Sequence, residues 1–112
     1  MTDSVVFLRH ILESIRLIEE YLEGADLDVF LASTRLQDAV FRRLEVIGEA
    51  VKNVPTDLRD AHPDIPWKRV AGLRDVLIHQ YFGVDAELTW QLVQESLPAF
   101  KAQINALVEE DG

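Results

Sequence analysis

Apolar residues recur every three or four positions along most of this chain, and no stretch alternates persuasively enough to make a strand. That periodicity confines the fold to helices packed along their apolar stripes. Val5, Leu8, Leu12, Ile15, Ile18 and Leu22 form one stripe, on a first helix expected from about Ser4 to Glu23. Asp3 or Ser4 can cap it and Gly24 stops it. Leu36, Val40, Leu44, Ile47 and Val51 form a second stripe, on one long helix expected from about Asp28 to Asn53. Near its end Gly48 and Ala50 allow a neighbouring helix to come close, and Pro55 ends it.

Three of the four prolines fall in PTDLRDAHPDIP, residues 55–66, which reads as a connection with one helical turn at 57–61. A third helix is expected to begin near Pro66 and Trp67 and to run to about Gly83. Asp85 caps a fourth that continues to about Val108, with Leu88, Val93, Leu97, Ile104 and Leu107 facing inward. Pro98 removes a backbone donor and should kink that helix near Gln94. The expected fold is all-α, an antiparallel bundle of four principal helices with a kinked last helix, in one domain over residues 1–112.

Composition narrows the function. The chain has 112 residues, is 48% hydrophobic and has no cysteine. Disulfides, thiolate zinc sites and thiol nucleophiles are therefore excluded, and a cytoplasmic location fits. No signal peptide and no segment of membrane-spanning length is expected. The net charge of −9 opposes a general nucleic-acid coat. Its distribution is uneven: residues 1–41 carry −5, residues 75–112 carry −6, and residues 42–74 carry seven basic against five acidic groups. The one net-positive segment ends at Arg74.

Arg74 opens an unusual run. In GLRDVLIHQYFG, residues 72–83, an arginine, a carboxylate, an imidazole and a phenol fall within eight positions. On a continuous helix Val70, Leu73, Val76 and Leu77 would make the core stripe, and Asp75 and His79 would lie one turn apart on the other side. Ala71 and Ile78 would fall between those two and Arg74, so this arc suits contact with another polypeptide. Arginine binds phosphate oxygens through paired hydrogen bonds. Histidine exchanges a proton near neutral pH, and a carboxylate nearby can orient the ring. RNA carries its own nucleophile, the 2′-hydroxyl, so an Arg/His pair can promote its cleavage without a metal. One chain offers a single histidine in this motif, and a two-fold dimer would bring two such pairs to one cleft. Taken alone, an Arg-Asp-x-x-x-His on a helix is more often an ordinary surface pair.

The longer pattern adds to this. Arg74-Asp75-x-x-x-His79-x-Tyr81 resembles the Arg-x4–6-His signature of HEPN domains, and H-x-Y followed by Phe82, Gly83, Val84 and Asp85 resembles its HepT-type branch. Gly48-Glu49-Ala50, Pro66-Trp67, Trp90 and Leu97-Pro98 agree with it, so the resemblance covers nearly the whole chain. It implies a helical homodimer with the motif at the interface and metal-independent endoribonuclease activity on RNA such as tRNA or mRNA. Arg74 and His79 would be catalytic, with Asp75 in support and no cofactor. It further implies the toxin of a toxin–antitoxin pair, whose MntA-type minimal nucleotidyltransferase antitoxin moves AMP from ATP to Tyr81. Lys68, Arg69, Arg42 and Arg43 are candidate substrate-binding cations. The alternative is a non-catalytic module that binds a nucleotide or a partner.

Other candidates are weaker. His10 and Glu13 are spaced for a metal in a bundle, but no second Glu-x-x-His accompanies them. Asp60, His62 and Asp64 surround Pro63 in a loop and read as an acidic connection. Glu45 and Glu49 read as a solvent-facing pair, with Glu49 the one placed to support the motif. Trp67 and Trp90 read as core anchors.

Overall fold

The computed structural model describes residues 3–79 and 83–111. It is all-α apart from one two-residue ladder. The long helices are α1 (Asp3–Tyr21) and α3 (Thr34–Lys52), which pack together, with α8 (Leu97–Asp111) against α1. Leu8, Ile11, Ile15 and Ile18 of α1 and Val40, Leu44, Ile47 and Val51 of α3 are buried in one apolar cluster, which α8 completes with Phe100, Ile104 and Leu107. The two expected stripes therefore meet each other, except that on α1 Ile11 is the buried residue and Leu12 is only partly covered.

The second expected helix is two. Helix α2 (Leu27–Ala32) ends at Ser33, where α3 begins. Asp26 caps α2 by accepting from the Val29 N–H, and Ser33 caps α3 by accepting from the Leu36 N–H at 3.0 Å. The Gln37 amide donates to the carbonyls of Phe30 and Leu31, satisfying the end of α2 that a continuous helix would have bonded internally. The bend lets the Phe30 ring, fully buried, sit 5.5 Å from the Trp90 ring.

The proline-rich connection holds α4 (Thr56–Ala61), the turn expected there. The third expected helix departs furthest from its reading. It consists of α5 (Trp67–Ala71) and α6 (Leu73–Leu77), separated at Gly72, and it stops six residues early. Ile78 is extended (φ −93°, ψ 123°) and begins β1 (Ile78–His79), which pairs antiparallel with β2 (Gly83–Val84). The Asp85 N–H donates to the Leu77 carbonyl at 2.7 Å, extending the bonding just outside the ladder. Gly83 has φ +78°, a conformation open to glycine at little cost, and β-branched Ile78 and Val84 suit the extended strands. His79 therefore does not lie one helical turn above Asp75. Val76 is also not core: it is 56% exposed, while Val70, Leu73 and Leu77 are buried.

Asp85 caps α7 (Ala86–Glu95) as expected, accepting from the Leu88 N–H. The expected kink is a full break at Ser96, which puts Pro98 in the first turn of α8, where its missing N–H costs nothing. Trp67 is a core anchor: its ring meets Phe100 edge-on at 6.4 Å and its indole N–H donates to the His62 carbonyl. Among the described residues no helix is long and apolar enough to cross a membrane.

Candidate active site around Arg74

Helix α6 is only five residues long, too short to persist by itself, so packing must hold Arg74 in place. Leu73 and Leu77 bury one side of α6 in the core, and Trp67 and Val70 do the same for α5. Gly48 of α3 provides the seat. A Cβ there would stand 3.3 Å from the Val70 carbonyl oxygen and 3.5 Å from that of Ala71. The close approach expected of Gly48 is real, and its partner is the backbone of α5.

Three residues before Gly48, on the same face of α3, stands Glu45. Its Oε2 accepts from Arg74 Nε at 2.8 Å across 29 positions of sequence. Its Oε1 lies 3.9 Å from Arg42 Nη1. Arg74 is 62% exposed and Glu45 24% exposed, so the carboxylate is the anchored member and the guanidinium the presented one. Only one of the guanidinium's five donors is needed for this bond, and the pair aligns the planar fork. Around it lies a groove of about 210 Å³, lined among others by Arg42, Glu45, Glu49, Lys52, Ala71 and Arg74. Lys52 there donates to Glu49 at 3.4 Å.

The structure brings some of the candidate residues together and separates others. Arg42 and Arg74 share the groove through Glu45. Arg43 is half-buried and does not line it. Asp75 is exposed on the surface of α6. His79 follows α6 by two residues, its backbone fixed opposite Gly83. Tyr81 lies outside the described residues. Lys68 and Arg69, on α5, line a different depression. The sequence reads Glu45 and Glu49 as a solvent-facing pair; Glu49 is exposed, whereas Arg74 is held by Glu45, which is largely covered. The available signal was its spacing of three from Gly48, which puts it on the face that α5 and α6 approach.

The metal candidates do not assemble. Glu13 accepts two hydrogen bonds from Arg16, the shorter 2.7 Å. That hydrogen bond holds its carboxyl below the usual range, and the bonds from Glu13 and Glu20 raise the Arg16 guanidinium further above its own. Among the described residues no three His, Asp or Glu side chains gather as a metal site.

A helical chain that presents Arg74 at a carboxylate-anchored groove, with Asp75, His79 and Tyr81 following it in sequence, has known counterparts. Residues 11–107 match the family described as "Ribonuclease HepT-like", and the chain belongs to that family. It is 46% identical to a "Probable ribonuclease HepT" of Thermococcus cleftensis, over 90% of this chain and 92% of that protein. It is 51% identical, over 96% of its length, to a "Gamma-glutamylcyclotransferase and putative RNase" of Methanocaldococcus jannaschii, but spans only 49% of that longer protein. A "Putative RNase" of Caldanaerobacter subterraneus is 37% identical over 94% of both chains. No solved structure matches the chain.

Proposed function

We propose that this chain is a HepT-type toxin, an endoribonuclease that works as a homodimer in the cytoplasm and folds as one domain over residues 1–112. Membership of the HepT-like family carries the reading, and the presentation of Arg74 by Glu45 at a groove supports it. Val76, exposed beside Arg74 and Asp75, supports a pairing surface there, because an uncovered valine next to the motif gains from a second copy.

In this mechanism His79 takes the proton of an RNA 2′-hydroxyl. The 2′-oxygen attacks the adjacent phosphorus, and Arg74 offsets the charge that builds on the phosphoryl oxygens. The 5′-oxygen leaves with a proton from an acid supplied by the second copy. The products are a 2′,3′-cyclic phosphate and a 5′-hydroxyl, so neither a metal nor an enzyme nucleophile enters the balance. Asp75 supports the pair.

Control comes from an MntA-type minimal nucleotidyltransferase. The Tyr81 phenol oxygen attacks the α-phosphorus of ATP, pyrophosphate leaves, and AMP remains on the tyrosine. The added negative charge, carried seven residues after Arg74 in the sequence, would repel an anionic substrate.

The test incubates unmodified protein with tRNA and mRNA in EDTA, beside Arg74→Ala and His79→Ala. Cleavage by the wild type alone, leaving cyclic-phosphate ends, is expected. A wild-type dimer that binds RNA without cutting it would overturn the reading in favour of a binding module. For the second step, intact mass after incubation with the transferase and ATP should rise by one AMP. A rise that persists in Tyr81→Phe would place the acceptor elsewhere.

A further inference from the structure

The cations of the Arg74 groove are matched by carboxylates: Glu45 faces Arg74 and Arg42, and Glu49 faces Lys52. A second depression, of about 810 Å³, differs in this respect. It opens between α4 and α5 and is walled by Arg59, Lys68 and Arg69, with Trp67, Thr56 and Asp60 among its other lining residues. Three cations there face one carboxylate, and among the described residues none of the three makes an ion pair. Arg59 Nε is buried and has no hydrogen-bond partner among the described residues. A buried donor without an acceptor is unfavourable, and an anion held in the depression that Arg59 lines would offset part of that cost. Pro63 and Pro66 stiffen the rim.

This excess of positive charge stands in a protein of net charge −9, where an unpaired basic patch needs a reason. Its position supplies one. Lys68 and Arg69 line this depression and Ala71 of the same helix lines the Arg74 groove, so α5, about 7.5 Å long at 1.5 Å per residue, joins the two. The volume is larger than one phosphate needs, and the open mouth suits a strand passing through.

We infer that Arg59, Lys68 and Arg69 form a second phosphate-binding site, which holds the backbone of single-stranded RNA beside the Arg74 groove. The inference rests on the ribonuclease reading for its choice of ligand. Here the contacts are to phosphate and carry no sequence preference, so they set where the strand lies and leave the chemistry to the motif.

The probe is a fluorescein-labelled 2′-O-methyl oligouridylate, which cannot be cleaved because its attacking hydroxyl is blocked. Its dissociation constant is measured against salt for wild type, Arg59→Gln, the double variant Lys68→Gln/Arg69→Gln, and a charge-matched control, Arg9→Gln/Arg35→Gln. All four altered cations of the double variant and the control are exposed, so those two proteins should fold normally. Each lost phosphate contact should lower the slope of log affinity against log salt by about 0.7. The double variant should weaken binding severalfold and the control should not. An unchanged slope in the double variant, or an equal fall in the control, would overturn the proposal. Cleavage by the wild type is scored separately. If RNA is cut but the double variant binds normally, the site fails and the ribonuclease reading stands. If no RNA is cut, the ribonuclease reading fails and the binding slopes still decide the site.

Discussion

Helices α1 and α3 and the stretch 67–84 are of similar length and are built in opposite ways. The first two are continuous over 19 residues each and press unbroken apolar stripes together. The stretch 67–84 is divided into two five-residue helices and the two strands of a ladder. The long pair can hold itself, because each turn adds buried side chains to the same seam. Short pieces cannot, and take their positions from what they rest on. The region that carries the motif is therefore a guest on α3, held by buried Val70, Leu73 and Leu77, by the close approach at Gly48 and by the Glu45–Arg74 pair.

That contrast can be broken at graded points. Ile47→Ala empties a fully buried position of α3 and should cost about 2–5 kcal/mol by chemical denaturation, more than any change to an exposed residue of 67–84. Next comes Gly48→Val, which drives a side chain against the carbonyls of Val70 and Ala71. A loss of about 1–3 kcal/mol is expected, with RNA cleavage falling further than stability explains because α5 and α6 shift together. An unchanged cleavage rate in a folded Gly48→Val protein would mean that the seat does not position Arg74.

Glu45→Gln should be milder still, at most about 1 kcal/mol, since the ion pair is partly exposed. Its sharper effect is on Arg74, which loses its charged tether: the Michaelis constant for RNA should change while thermal stability barely moves. The smallest effect belongs to the surface of α1. Glu13 has a lowered pKa in the folded protein because Arg16 bonds its charged form. Its contribution is thus present above the unfolded pKa and is lost as pH falls through the folded one. Glu13→Gln should lower the melting temperature slightly at pH 7 and leave it unchanged in strong acid; a difference that grows on acidification would refute the assignment.

Much of this was legible in the chain. The stripes of α1 and α3, the turn over 57–61, the Asp85 cap and the closeness at Gly48 all follow from spacing and residue type, because those signals act over a few positions. The breaks were less legible. Ser33 and Ser96 look like ordinary helix residues until Gln37 satisfies the end of α2 and Pro98 opens α8. The early end of α6 depends on Gly83 folding back to pair with His79, and the Leu77 carbonyl then bonds the Asp85 N–H instead of a helical neighbour. Periodicity alone does not distinguish the ladder of 78–79 with 83–84 from one more turn of helix, which is why it puts Val76 in the core and His79 one turn above Asp75.

Residue order and spacing alone make the chain helical, choose which faces of α1 and α3 are buried, and set where Arg74 stands among its neighbours. These are consequences of side-chain period and local backbone preference. The anchoring of Arg74 by Glu45, the outward face of Val76 and the meeting of Arg59 with Lys68 and Arg69 come from packing in three dimensions. Each of those depends on groups far apart in the chain, or on where a helix stops, and both are settled by packing.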